Sequence, residues 1–289
     1  EPMALGHEVS GIVAEIGPGV DGLAVGDRVA VNPSRPCGNC VFCRRDQRNQ
    51  CLDMRFNGSA MRMPHEQGLF RAEVTVPAGQ AVRLDPQADL ALAALSEPFA
   101  VCLHAVTKAG PLIGRRVLVS GAGPIGCLMI AAAALSGASE IIATDIAQAP
   151  LDVARAMGAS RTVDLTRDAA ALERYRHAKG SVDVVFECSG AAPALQTACE
   201  VLRPGGTLVT VGLGADIPLP LGLVVTKEII LRGSFRFDAE FATAAKLIDS
   251  GRVDLRPLLT GIHDVGDAVR AFDAASDKAT SMKVQLRFT

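Results

Sequence analysis

The chain has no tryptophan, one tyrosine and only 4% aromatic residues, so its core must be built mainly from aliphatic side chains. It has no long apolar run. Stretches such as Cys127–Leu135 fall far short of the ~20 residues that a membrane-crossing helix needs. No secretory signal pattern opens it. It also has little net charge, −2, which excludes a surface drawn by charge to nucleic acid or anionic lipid. What remains is an ordinary globular balance, 49% hydrophobic and 21% charged residues over 289 positions, long enough for two domains. Together these features lead us to expect a cytoplasmic protein. The chain opens at Glu1-Pro2-Met3 and reaches motif-dense sequence at once, so we expect further residues upstream.

Cysteine is concentrated. Cys37, Cys40, Cys43 and Cys51 fall within fifteen residues at C-x2-C-x2-C-x7-C spacing, and they are half of the chain's eight cysteines. Zinc takes four thiolates in a closed tetrahedron, and two intervening residues let neighbouring sulfurs turn onto one ion. A disulfide reading needs an oxidising compartment and usually a small domain. We therefore read residues 37–51 as a zinc-held lobe. Four thiolates leave zinc no open position, so the lobe's role is structural. The other cysteines, Cys102, Cys127, Cys188 and Cys199, lie in apolar runs and read as buried free thiols.

Short strands set off by Gly and Pro make the first third a small β-rich domain. Strands are expected over 9–16, 28–31 and 68–76. His7 and Glu8, at the entrance of the first, are a candidate metal pair or a hydrogen-bonded turn. Ser96-Glu97-Pro98 precedes an apolar helix expected over 99–109. Glu97 either caps that helix or faces a metal, and His104 on the helix reads as a packed, satisfied histidine.

The middle is clearer. Arg116–Ser120 is a buried strand, followed by Gly121-Ala122-Gly123-Pro124-Ile125-Gly126, an Ala-rich helix, a second strand and Asp145, 19 residues past the last glycine. A bare G-x-G-x-x-G is a weak signal. Placed between strand and helix with that acid, it is the dinucleotide fingerprint. Gly121 makes the tight turn, Gly123 admits the pyrophosphate beside the helix N-terminus, and Gly126 permits close packing. Pro124 and Ile125 complete the turn. Asp145 accepts hydrogen bonds from the adenosine ribose, which favours NAD over NADP because a 2′-phosphate would face its carboxylate. Further strands and helices alternate, with helices at 149–157, 169–179 and 193–202. Six strands make a doubly wound parallel sheet of the Rossmann kind. Val211, Gly212 and Arg236 lie at strand ends, where such sheets bind their ligands. The tail holds two helices and a strand over 283–288, which we expect to return and pair with the first domain.

These residues resemble the zinc-containing medium-chain alcohol and polyol dehydrogenases along essentially the whole chain. Gly6-His7-Glu8-x2-Gly11-x5-Gly17 is similar to that family's zinc signature, and the cysteine lobe, Glu97-Pro98, the glycine turn and Asp145 follow in its order and spacing. The resemblance implies a GroES-like catalytic domain over 1–97, an NAD-binding Rossmann domain over 98–237 and a return to the catalytic domain over 238–289. Ser96-Glu97-Pro98 is similar to the sorbitol dehydrogenase branch, in which Glu replaces another branch's cysteine ligand. The stretches 31–38, 49–61 and 231–237 resemble members that act on a sugar acid.

The resemblance implies a catalytic zinc on His7, on a cysteine that this sequence does not contain, and on Glu8 or Glu97. It also implies oxidation of a secondary hydroxyl with NAD, on a sugar acid or else a neutral polyol or L-threonine. Arg236 is our first candidate for the substrate carboxylate and Arg55 the second, because a guanidinium binds carboxylates through a bidentate fork. The resemblance further implies a homo-oligomer, tetramer or dimer. A zinc-free quinone reductase would lack both the lobe and the His-Glu pair. A nucleic-acid-binding zinc module has only Arg44, Arg45 and Arg48 in its favour. An inactive fragment remains the rival of another class.

Overall fold

Residues 2–212, 216–277 and 280–288 are described in the computed structural model of the chain. The first third carries β1 (Val9–Ile12), β2 (Arg28–Val31), β3 (Ser34–Arg35), β4 (Arg55–Phe56) and β5 (Ala81–Arg83). β1, β2 and β5 form a small antiparallel sheet in that order, and β3 pairs with β4 to close the base of the cysteine lobe. The strand expected over 68–76 is not formed. The amides of Gly68, Leu69 and Phe70 instead bond the carbonyls of Ala4, Gly6 and Leu5, out of ladder order. The first strand stops at Ile12 rather than at residue 16.

Helices α1 (Leu90–Ala93) and α2 (Ser96–Ala109) lead into the alternating part. There β6 (Arg116–Ser120), α3 (Pro124–Leu135), β7 (Glu140–Asp145), α4 (Gln148–Ala156), β8 (Arg161–Asp164), α5 (Glu173–Arg176), β9 (Val182–Glu187), α6 (Ala192–Val201), β10 (Leu202–Thr210), α7 (Leu221–Thr226) and β11 (Ile230–Gly233) follow. The six strands expected from the sequence form one parallel sheet in the order β11-β10-β9-β6-β7-β8. Near-continuous Val, Ile and Leu is what the central strands β6, β7 and β9 need, because both their faces are buried. α2, α3 and α8 (Glu240–Asp249) contribute to the core on one face, while α6, Tyr175 and Leu172 cover the other. The helix expected over 169–179 is instead a 3-10 turn at 169–172, the short α5 ended by extended His177, and a last turn in which Ala178 and Lys179 take φ of +54° and +70°.

One open alternative is decided and one expectation needs correcting. Glu97 is not an N-cap. Leu95 holds that position, α2 begins at Ser96, and Glu97 lies buried in its first turn. The final strand, β13 (Lys283–Arg287), does not pair with a strand of the first third. It pairs in parallel with β12 (Leu259–Asp264), a strand missed in the sequence, while α9 (Ala268–Ser276) packs on both. β13 still returns to the N-terminal part through side chains. Lys283 bonds Glu8, Gln285 bonds the Ala91 carbonyl at 2.8 Å, and Phe288 meets Phe70.

His104 is packed and satisfied as expected. It is 5% exposed, Nδ1 lies 2.9 Å from Glu240 Oε1, and Nε2 lies 3.4 Å from Asn49 Nδ2. The neutral tautomer with a proton on Nδ1 satisfies both contacts. Burial works against ionisation of Glu240, but hydrogen bonds from His104 and from backbone amides outweigh it and hold the carboxyl down at about 2. A carboxyl depressed in the fold stabilises it above its ordinary value, and that stability is lost as pH falls from about 4.5 toward about 2. The melting-temperature gap between wild type and Glu240→Gln should therefore shrink over that pH window. A gap that stayed constant in thermal melts would contradict this assignment.

Candidate metal centres and dinucleotide crevice

The four cysteines converge. One ligand atom from each lies within 4.8 Å of every other, with Cys37 Sγ–Cys43 Sγ and Cys40 Sγ–Cys51 Sγ both at 4.0 Å. A zinc tetrathiolate with bonds of about 2.3 Å has sulfur–sulfur edges of about 3.8 Å, so the donor set fits the ion. The amides of Cys37 and Asp53 point at Cys51 Sγ (3.2 and 3.3 Å), and that of Cys43 at Cys40 Sγ (3.5 Å). Amides of Cys43 and Leu52 hold the Cys40 thiol down at about 6, toward the thiolate that zinc requires. The tight 3-10 turns at 43–45 and 48–50 bring Cys43 and Cys51 into range.

His7, Glu8 and Glu97 form the second group, again with one ligand atom from each within 4.8 Å of the others. The chain passes His7 and Glu8 just before β1, and α2 presents Glu97 from its first turn. Burial lowers the His7 pKa, and the Lys283 and Arg236 cations add to this against the pull of Glu8. The imidazole is thus kept neutral, the form that binds metal. Glu97 is 6% exposed, and burial followed by repulsion from Glu8 pushes its pKa up to about 8. Such a carboxyl gains most from a nearby cation. A neutral imidazole and two carboxylates form a donor set suited to a catalytic zinc.

Two residues here, Lys283 and Phe56, escaped the sequence reading. Lys283 Nζ lies 2.7 and 2.6 Å from the two Glu8 oxygens. Phe56 meets His7 edge-on at 5.6 Å, and Arg236 stacks over Phe56 at 4.5 Å from its ring centroid. Lys283 was legible only as one residue of a return strand, and nothing in the spacing pointed from position 56 to position 7. Of the two candidate arginines, Arg236 reaches the cluster. Arg55, beside Phe56 in β4, is directed the opposite way by strand alternation and pairs with Glu66 at 2.6 Å.

The glycine turn is built as its sequence requires. Gly121 has φ +89°, and a Cβ at Gly126 would meet the Gly121 carbonyl at 1.8 Å. Gly123 has open space where its Cβ would be, and it caps the helix that Pro124 and Ile125 begin. Amides of Ala122, Ile146 and Ala147 orient the Asp145 carboxylate, at 2.7, 2.7 and 3.1 Å. Val211 and Gly212 donate their amides to the Glu187 carbonyl (2.8 and 3.0 Å) and line a cavity of about 420 Å³ with Asn49, His104, Lys108 and Ser234.

A family model described as zinc-binding dehydrogenase matches residues 124–250, and one described as alcohol dehydrogenase GroES-like domain matches residues 1–86. The chain is 42% identical over 288 residues to L-idonate 5-dehydrogenase (NAD(P)(+)) of Escherichia coli, covering 99% of this chain and 83% of that protein. The chain belongs to the zinc-binding dehydrogenases. The crystal structure of L-idonate 5-dehydrogenase from E. coli superposes with a TM-score of 0.95 at 41% identity, covering 99% of this chain and 82% of that one. A probable D-xylulose reductase A of Aspergillus fumigatus is 38% identical over 278 residues, covering 94% of this chain and 76% of that protein. A putative zinc-binding dehydrogenase of Sinorhizobium meliloti bound to NADP has a TM-score of 0.89 at 30% identity, covering 99% of this chain and 83% of that one. Among the described residues, no helix is long and apolar enough to cross a membrane.

For this zinc-binding dehydrogenase, elemental analysis of the purified full-length protein should give two zinc ions per chain. His7→Ala should lose one with little change in melting temperature. Cys51→Ser should lose the other and melt about 5–10 °C lower, a few kcal/mol for a protein of this size. An unchanged metal count in His7→Ala would remove the second centre.

Proposed function

We propose that this zinc-binding dehydrogenase oxidises the C5 hydroxyl of L-idonate to 5-keto-D-gluconate with NAD. The observation that carries the reading is Arg236, stacked on Phe56 beside the His7–Glu8–Glu97 cluster and without a carboxylate partner among the described residues. The 42% identity to L-idonate 5-dehydrogenase points to the same substrate.

We assign the catalytic metal to His7 with Glu8 or Glu97, and the structural metal to Cys37, Cys40, Cys43 and Cys51. Bound zinc supplies Lewis acidity that lowers the pKa of a hydroxyl, and bound NAD accepts a hydride. Whichever of Glu8 and Glu97 is not a ligand accepts a hydrogen bond from water at the site. Lys283 balances the charge of Glu8. Arg236 holds the substrate carboxylate by its fork, which fixes the sugar acid's direction in the cleft. Arg55, tied to Glu66, has no such part. Asp145 takes the adenosine ribose hydroxyls, which favours NAD over NADP. The open side of Gly123 and the start of α3 take the pyrophosphate, and Val211 and Gly212 border the nicotinamide end.

We divide the chain by role into 1–97, which carries the metals, 98–237, which carries the cofactor, and 238–289, which returns Lys283 to the first part. The boundary at 97 falls inside α2, so that helix joins the metal site to the cofactor sheet. Reduced thiolates at the lobe suit a cytoplasmic setting. The uncovered edge of β11, with Ile230 and Leu231 each 44% exposed, is where we place a homo-oligomer contact. A monomer mass by light scattering would remove that contact.

Steady-state kinetics on the full-length enzyme should rank L-idonate above sorbitol and L-threonine, and NAD above NADP. Arg236→Ala should cost L-idonate roughly 100-fold in kcat/KM, about 2.7 kcal/mol, and sorbitol far less. Equal losses on the two substrates would take the carboxylate away from Arg236.

A further inference from the structure

Arg236 sits in a backbone conformation that it would not choose. Its φ is +54°, in the left-handed region that costs a non-glycine residue about 1–2 kcal/mol. Such a residue holds its place only when its surroundings over-determine it. The surroundings here come largely from the cysteine lobe. Asn49 Nδ2 donates to the Phe235 carbonyl at 2.9 Å. That carbonyl shares a rigid peptide plane with the Arg236 amide, so anchoring it fixes the plane about which φ of Arg236 turns. Two residues on, the backbone amide and Nε of Arg48 grip the two Asp238 oxygens at 3.0 and 2.7 Å. Glu240 Oε2 takes the Asp238 amide at 2.8 Å, and His104 steadies both Glu240 and Asn49. The guanidinium then lies 4.5 Å from the Phe56 centroid and 4.9 Å from that of Phe235.

We propose that Arg48 and Asn49, in the turn that leads into Cys51, are positioning residues for Arg236, so that the cysteine lobe sets the enzyme's grip on the substrate carboxylate. The lobe thereby acts on specificity without touching substrate. Asn49 is 9% exposed, and it spends its amide donors on a backbone carbonyl and on His104. Arg48 is the one lobe arginine whose Nε and backbone amide both reach across to the segment after β11. The inference rests on the carboxylate role given to Arg236 above, and the experiment separates the two.

The test compares Asn49→Ala, Arg48→Lys, Arg236→Ala and the double variant Asn49→Ala/Arg236→Ala in the full-length zinc-loaded enzyme. Zinc content and melting temperature are recorded for each. Asn49→Ala should raise KM and the calorimetric Kd for L-idonate about tenfold, near 1.4 kcal/mol. Because Asn49 also lines the cavity with Val211 and Gly212, any effect on NAD should fall on both substrates alike, so kcat/KM for L-idonate should drop about tenfold relative to that for sorbitol. Arg48→Lys, which keeps charge but not the fork, should show a smaller loss of the same kind. On the Arg236→Ala background, Asn49→Ala should add nothing, the mark of residues acting through one another. A full further loss on that background, or equal losses for L-idonate and sorbitol in Asn49→Ala, overturns the positioning role. If Arg236→Ala itself treats L-idonate and sorbitol alike, the carboxylate reading fails and this inference fails with it.

Discussion

Glu187 stands at the carboxyl end of β9, next to the point where the strand order reverses between β9 and β6. Its side chain, 1% exposed, accepts from the Ser189 amide and hydroxyl and from the Gly190 amide, while its carbonyl takes the amides of Val211 and Gly212. A Cβ at Gly121 would meet Ser189 at about 3.0 Å, and one at Gly212 would meet the Gly190 amide at 2.5 Å. The ends of β6, β9 and β10 are therefore packed backbone to backbone around one buried carboxylate. A buried carboxyl group of this kind persists only when it is hydrogen-bonded, and three donors, the Ser189 amide and hydroxyl and the Gly190 amide, meet it. Open α/β sheets bind ligands in the crevice at the reversal, and this brace shapes the floor of that crevice.

The parts legible in the sequence were those whose chemistry is local. The cysteine spacing, the glycine turn and the six apolar runs each state their geometry within about twenty residues, and the structure follows them closely. The misses are long-range. The pairing of β13 with β12 joins positions 23 or 24 residues apart through a strand that begins with an ordinary Leu-Thr-Gly. The irregular pairing of Gly68–Phe70 with Ala4–Gly6 spans more than sixty positions and leaves no periodic trace. Lys283 reaches Glu8 across 275 residues. Arg55 and Phe56 make the same point in miniature: the arginine drew notice by its charge, yet alternation in β4 gives the site-facing position to the phenyl ring.

The strain at Arg236 can be weighed against what holds it. A left-handed residue costs about 1–2 kcal/mol, while a guanidinium over an aromatic face returns about 0.5–1 kcal/mol at an exposed site and about 2 when desolvated. Arg236 has two rings, and burial is sufficient to lower its pKa. The stacking can therefore offset the backbone cost without a carboxylate partner. Within the fold the guanidinium donates to the weak acceptor Met61 Sδ at 3.1 Å and to no carboxylate among the described residues, whereas Arg55 is tied to Glu66.

The charge pattern around His7 then bears on the kind of substrate that the cleft accepts. His7 is held neutral by burial, and Glu97 with a pKa near 8 is mainly protonated at neutral pH, which leaves Lys283 and Arg236 facing the single carboxylate of Glu8. A divalent cation on the cluster would ionise Glu97 but bring in more positive charge than that proton carried away. In either condition the described residues leave the cleft short of negative charge. A neutral polyol would leave that imbalance in place. Under the function proposed above, a sugar acid would supply the missing charge and Arg236 would be its partner, which is how a charged group in a cleft makes a site selective.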